Sequence, residues 1–318
     1  GFALISAAGT VEGAARILNL YRNVTVAPVA TLLPTSFQID DKVSLPSIAL
    51  GTAKLGSTVT TDVVSRALNT GFTAVDTAPT YKNEDKVGEA IKEDTFCIIK
   101  VPKRARSRDQ VLKEFEDSLS SLKRKHADLL LLHWPSDVIA ANTLKQVWET
   151  MENLKKDGRT SAIGVCNFNV QALRVLLSCC IIPPAVNQVE RHPLLSQFEL
   201  LDFCAKHDIL LQAHSPLGQG SDELLDHPIV KGIATDTGLT PAQVVLKWNL
   251  QQGVAIAVKC SSDEHIGQAL AVQSSKGLSA QQMKALNEVE ESKRFVDPPF
   301  MYGTAPYCWG KQRPFGSK

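Results

Sequence analysis

Eight short β-rich runs, separated by stretches of helical period, restrict the fold of this chain more than any other feature. The runs fall at residues 47–50, 73–76, 97–100, 128–133, 162–166, 185–190, 209–214 and 254–259. Helical periods occupy 61–69, 85–91, 108–122, 144–156, 170–177, 197–206 and 241–251, and two more, at 264–272 and 280–289, follow the eighth run. Asp157-Gly158 and the Thr240-Pro241 helix start punctuate the pattern. Strands alternating with helices through short connections predict parallel pairing, and eight such units predict a closed (β/α)8 TIM barrel. An open doubly wound sheet is the alternative. It calls for a glycine fingerprint after its first strand, and Gly51-x4-Gly56 has neither that spacing nor a following Lys-Ser/Thr.

The chain has 318 residues, enough for one barrel with appendages. Lys+Arg number 34 and Asp+Glu 33, so no global field favours nucleic acid or an anionic membrane. No apolar run reaches transmembrane length. Seven scattered cysteines without a CxxC pair suit a reducing compartment better than a disulfide framework or a metal site. Residues 1–36 contain one acid, Glu12, beside Arg16 and Arg22. Such a segment fits an organelle transit sequence, mitochondrial or plastid, or a plain extension of a cytoplasmic protein that serves as a docking arm. The expected organisation is therefore an extension over 1–36, a barrel over 37–296 and an irregular tail over 297–318 that, with Tyr302, Pro306 and Trp309 and no helical or strand period, reads as a long surface segment. Both ends are candidate contacts for protein partners. Residues 37–42 and 43–45 are expected to form a hairpin closing the bottom of the barrel.

Barrel enzymes carry their chemistry at the carboxyl ends of the strands. Here those ends hold Asp76, Lys100, His133, Asn167, Gln188 with Glu190, His214 and Lys259. Seven successive strands thus end in a group that ionises or hydrogen-bonds, a pattern that scattered helix caps would not produce.

The local sequences add a resemblance. The segment GFTAVDTAPTYKNEDKVGEAI, Gly71 to Ile91, resembles the aldo-keto reductase signature almost throughout. Leu-Leu-His133-Trp-Pro, Gly164-Val-Cys-Asn-Phe168, Asn187-Gln-Val-Glu, Ser215-Pro-Leu-Gly and Val258-Lys259-Cys are similar to further motifs of that family. The resemblance spans about 37–296. It implies NAD(P)H-dependent reduction of a small aldehyde or ketone, with the dinucleotide extended across the barrel top. The family's catalytic tetrad falls on Asp76, Tyr81, Lys100 and His133. Tyr81 is then the proton donor. Lys100 is expected to lower the phenol pKa, Asp76 to keep Lys100 charged, and His133 to orient the carbonyl oxygen. Trp134 matches a substrate-pocket aromatic.

The resemblance assigns the cofactor to Cys166, Asn167, Gln188, His214, Ser215, Leu217, Lys259, Cys260, Ser262 and His265. Several of these depart from the family pattern. Cys166 replaces a serine, His214 an aromatic that stacks on nicotinamide, and His265 an arginine that forks onto the 2′-phosphate. Gln268-Ala269 replaces Glu-Asn. NADPH is the expected cofactor, weakly preferred, with NADH as the alternative. Because these departures all touch the cofactor, a second reading is a former reductase kept as a structural or regulatory subunit. At the rim, Lys103, Arg104, Arg106 and Arg108 form either a solvated loop balanced by Asp109, Glu114 and Glu116, or an anion-binding or docking edge. The stretch 136–142 reads as a short loop that leaves its side of the pocket open.

Overall fold

The computed structural model describes residues 32–301. Expectations for the rest of the N-terminal extension, and for Tyr302, Pro306 and Trp309 of the tail, lie outside the described residues.

Two antiparallel strands, β1 (Ser36–Asp40) and β2 (Val43–Pro46), precede eight parallel strands. These are β3 (Ile48–Gly51), β4 (Ala74–Asp76), β5 (Phe96–Val101), β6 (Ala127–Leu132), β7 (Thr160–Cys166), β8 (Val186–Glu190), β9 (Leu210–His214) and β10 (Ala255–Val258). Each pairs with the next, and β10 pairs with β3 to close the barrel. The eight expected runs are the eight barrel strands, shifted at their ends by no more than two residues.

The helices are α1 (Ser57–Thr70), α2 (Glu84–Gly88), α3 (Arg108–Ser121), α4 (Ser136–Ala140), α5 (Leu144–Lys156), α6 (Val170–Leu177), α7 (Phe198–Lys206), α8 (Asp222–Leu225), α9 (Pro228–Thr237), α10 (Pro241–Gln251), α11 (Asp263–Ser274) and α12 (Ala280–Asn287). Their starts are chemically marked. Ser107, Asn169, Ser262 and Ser279 each accept a backbone N–H of the first turn, and Thr240 forms a reciprocal capping box with Gln243. Strands and helices bury opposite layers of one core. Inside the barrel, Ala49, Ala74, Ile98, Leu129, Leu131, Ala162 and Ala255 pack together. Outside it, Val64, Phe115, Leu130, Trp148, Ile163 and Leu173 join sheet to helices. Gly164 permits close strand packing, because a Cβ there would lie 2.5 Å from the Val186 carbonyl oxygen.

The hairpin plugs the bottom as expected. Leu45 is fully buried among the interior residues, and Asp40 pairs with Lys155 at the end of α5. It also draws in chain before Phe37. Leu33 is buried in the core, Ser47 N–H donates to Thr35 O, and the Ser47 hydroxyl donates to Pro34 O.

Two expectations need correction. Residues 136–142 are not simply an open loop. They hold α4, with Ser136 and Val138 buried, and Phe300 from the C-terminal segment meets Trp134 edge-on at 5.0 Å on that side. The chain beyond Asp297 is therefore not purely a surface segment, since Pro298 and Phe300 line the cleft and Met301 is buried. Glu190 fixes this crossing by accepting the N–H groups of Phe295 (2.7 Å) and Val296 (3.0 Å). His192 lies buried with Nε2 3.1 Å from Glu190 Oε1.

Candidate active site

A cleft of about 920 Å³ opens at the carboxyl end of the barrel strands. Its floor is set by strand register. Asp76 ends β4, Lys100 lies near the end of β5, and His133 directly follows β6. Tyr81 is carried in by a 3-10 turn, Pro79–Tyr81, so the sequence separation of Asp76 and Tyr81 collapses into one corner. Lys100 is buried, with Nζ donating to Asp76 Oδ1 at 2.5 Å and to Thr77 O at 3.3 Å. The same ammonium lies 5.2 Å from the Tyr81 ring centre, and the Tyr81 and His133 rings meet edge-on at 5.9 Å. The four tetrad candidates are therefore brought together. Three of them line the cleft, and Lys100 stands behind Tyr81 and Asp76.

Burial lowers the Lys100 pKa, but Asp76 and then Tyr81 outweigh it and hold the ammonium above its ordinary range. Burial is also the largest influence on Tyr81 and pushes the phenol up to about 12, with Lys100 opposing. The expectation of a lowered phenol pKa is corrected: Lys100 pulls in the expected direction, and desolvation of the phenolate wins. Burial, then Lys100 and His214, hold His133 well below the usual imidazole range, so it is neutral at physiological pH.

Next to the tetrad runs a polar ladder. Gln188 Nε2 donates to Asp76 Oδ2 (2.6 Å) and to Gln212 Oε1 (2.8 Å), and the Cys166 thiol lies 3.7 Å from Gln188 Oε1. Cys166 is buried and does not line the cleft, whereas Gln188 does. Gln212 escaped the sequence reading because it sits in the middle of β9, two residues before the carboxyl end at His214. Asn167 occupies the left-handed region at φ 64° and donates to His133 O at 2.9 Å. That fixes its Oδ1 as the acceptor for His214 Nε2 at 2.9 Å, so His214 carries its proton on Nε2. Burial, despite an opposing pull from Glu190, lowers the His214 pKa to about 4. Ser215 and Leu217 continue the wall.

The far end of the cleft carries a lysine, an imidazole and one hydroxyl, that of Ser261. Lys259 and His265 are exposed and line it with Cys260. Ser262 does not line it; its hydroxyl caps α11 through the His265 N–H. Arg66, which the sequence did not single out, pairs with Asp62 and Asp263 and donates to Ser261 O at 3.1 Å. Asp263 and Ser261 lie 197 and 195 positions away, and only Asp62 is local, so no local pattern marks its place at the cleft. At the rim, Arg104 holds Glu114 and Arg106 holds Asp137 at 2.8 Å, so most of that basic loop is balanced.

The donor set suits an extended dinucleotide: amides and imidazole beside the tetrad, then a lysine and the N-terminus of α11, where anions are stabilised. The family model described as "Aldo/keto reductase family" matches residues 47–291. A glyoxal reductase of Bacillus subtilis is 39% identical over 242 residues, which is 74% of this chain and 85% of the relative. The methylglyoxal reductase DkgA of Escherichia coli is 31% identical over 278 residues, 85% of this chain and 98% of the relative. The crystal structure of apo Gox0644 superposes with a TM-score of 0.78 at 32% identity, covering 85% of this chain and 97% of that one.

Proposed function

This chain belongs to the aldo/keto reductase family, and from that premise we propose that Tyr81, Lys100, Asp76 and His133 carry its reaction. The protein is an NAD(P)H-dependent oxidoreductase that reduces a small aldehyde or ketone to an alcohol. Bound at this cleft, the nicotinamide supplies the hydride. The protein's own groups handle the other half. Tyr81 hands its phenolic proton to the carbonyl oxygen as charge builds there. Lys100 stabilises the resulting phenolate, and Asp76 keeps Lys100 charged in a buried place where an unpaired ammonium is costly. Neutral His133 donates a hydrogen bond that orients the carbonyl oxygen. Asn167, Gln188, His214, Ser215 and Leu217 flank the nicotinamide end, and Lys259 with His265 meets the phosphate end.

The observation that carries this assignment is the closure of Asp76, Lys100, Tyr81 and His133 into one corner of the cleft floor. Tyr81→Phe removes the proton donor while keeping the ring contact with His133. Reduction of 4-nitrobenzaldehyde by the variant is expected to fall by at least a hundredfold, with the circular dichroism melt unchanged. Wild-type turnover in the variant would remove Tyr81 from the mechanism.

NADPH is the preferred cofactor on this reading, by a modest margin. Lys259 offers one cation to the 2′-phosphate, while His265 replaces a forked contact with a single hydrogen bond. The names of the glyoxal and methylglyoxal reductases direct the first assays to small dicarbonyls. The acid-poor segment 1–36 supports an organelle address, tested by fusing it to a fluorescent protein; diffuse cytoplasmic signal would refute it.

A further inference from the structure

Charge in the cleft is distributed unevenly. Asp76 is the only carboxylate among the described residues that lines it, and Lys100 and Gln188 occupy both its oxygens. Three lysines line the same cleft. Lys259 lies at the dinucleotide's phosphate end, and Lys54 is bonded to Gln219. Lys103 is different. It stands on the Trp134 side of the tetrad, with its Nζ 3.8 Å from the centre of the Phe300 ring. Phe300 meets Trp134 edge-on at 5.0 Å, and Trp134 stacks on His133 at 5.9 Å. A continuous aromatic wall therefore leads from the group that orients the carbonyl oxygen to an ammonium at the mouth.

That ammonium is only partly compensated. Asp137 is 3.9 Å from Lys103 Nζ, and its other oxygen is taken by Arg106 at 2.8 Å. The Lys103 side chain keeps 34% of its exposure. We infer that Lys103 is a specificity residue that selects carbonyl substrates bearing a carboxylate across an aromatic or comparably long apolar spacer. The inference rests on the carbonyl-reductase reading above. The spacer follows from the two aromatic side chains, Trp134 and Phe300, that stand between His133 and Lys103. A 2-oxo acid, with its carboxylate on the carbonyl carbon itself, would not reach. The spacer's faces match the aromatic wall, and the carboxylate meets a partly desolvated cation there, where a charged contact outweighs its fully exposed counterpart.

The test compares 4-formylbenzoate with its methyl ester, two aldehydes of similar shape that differ in charge. The NADPH-loaded protein is expected to favour the carboxylate about tenfold in kcat/KM, a central value for one charge-assisted contact. The preference should shrink as sodium chloride is raised. Lys103→Met should erase it and Lys103→Arg should keep it. Arg104→Gln, which removes a rim charge already paired with Glu114, should leave the ratio unmoved. Binding gives an independent readout: calorimetry of the product, 4-(hydroxymethyl)benzoate, should show about tenfold weaker affinity in Lys103→Met. Equal use of both aldehydes by the wild type, or an unchanged ratio in Lys103→Met, overturns the inference and leaves carbonyl reduction standing. Failure to reduce either aldehyde or any dicarbonyl overturns both.

Discussion

Replacing Asp76 by asparagine is expected to add a component of stability that climbs with pH and is absent from the wild type. Lys100 is fully buried, and Asp76 is its only carboxylate partner among the described residues. Asparagine keeps the shape and removes the charge. Whichever way its amide is turned, its Nδ2 faces a donor, either Lys100 Nζ or Gln188 Nε2. Breaking a buried pair on one side costs about 3–5 kcal/mol, or on the order of 10 °C in Tm for a barrel of this size. The sign of the pH dependence identifies the cause. In the wild type the folded-state pKa of Lys100 lies above the ordinary 10.5, so its contribution is complete below 10.5 and is lost only as pH rises through the higher folded value. Without Asp76, burial drives the folded-state pKa below 10.5. The unfolded chain then binds the extra proton, and stability rises with pH by up to about 1.4 kcal/mol per unit between the two values. Urea unfolding at about pH 6, 7.5 and 9, followed by circular dichroism, measures the slope. Lys100→Met in the Asp76→Asn background should abolish it and recover part of the loss. An Asp76→Asn variant with wild-type stability and a wild-type pH profile would refute a buried, carboxylate-dependent charge on Lys100.

Further outcomes follow from the same geometry. The proposed mechanism needs protonated Tyr81, whose pKa is about 12, and neutral His133. The kcat/KM for reduction should therefore be flat from about pH 7 to pH 9, and an inflection near neutrality would contradict the assigned proton states. Burial raises the Glu84 carboxyl to about 7, above its ordinary 4.5. It takes up a proton on folding between those values, so stability should fall by up to roughly 3 kcal/mol as pH rises through that window. Glu84→Gln should remove this component from a melting series. His265→Arg should tighten NADPH about tenfold or more and leave NADH nearly unchanged. Calorimetric titration of both cofactors decides it, and an equal gain for both would show that position 265 does not meet the 2′-phosphate.

Much of this protein is legible along the chain because its fold is built from local units. Each strand is a short apolar run and each major helix a 3.6-residue pattern, so periodicity alone located all eight barrel strands. The polar groups at the carboxyl ends of seven of the eight strands fell in order, and the barrel rule turned that order into one face. What local pattern did not carry was α4, α8 and α9. α4 and α8 hold only five and four residues, too few for a helical period, and α9 lies within the long connection between β9 and β10, where its buried Val230, Ile233 and Ala234 make one short stripe.

The sequence by itself determined the barrel, the four candidates for the tetrad and the direction of each pairwise influence among them. Tertiary structure alone decided which influence wins. Lys100 beside Tyr81 predicts a lowered phenol pKa, yet the phenol is raised, because desolvation depends on how completely the whole fold encloses it. Tertiary structure also decided who meets whom across the chain. Gln188 reaches Asp76 from 112 positions away, Arg66 reaches Ser261 from 195, and Phe300 closes over Trp134 from beyond the last helix. Such contacts are set by closure of the sheet and the return of the chain over its top, and neither leaves a periodic mark in the residues that make them.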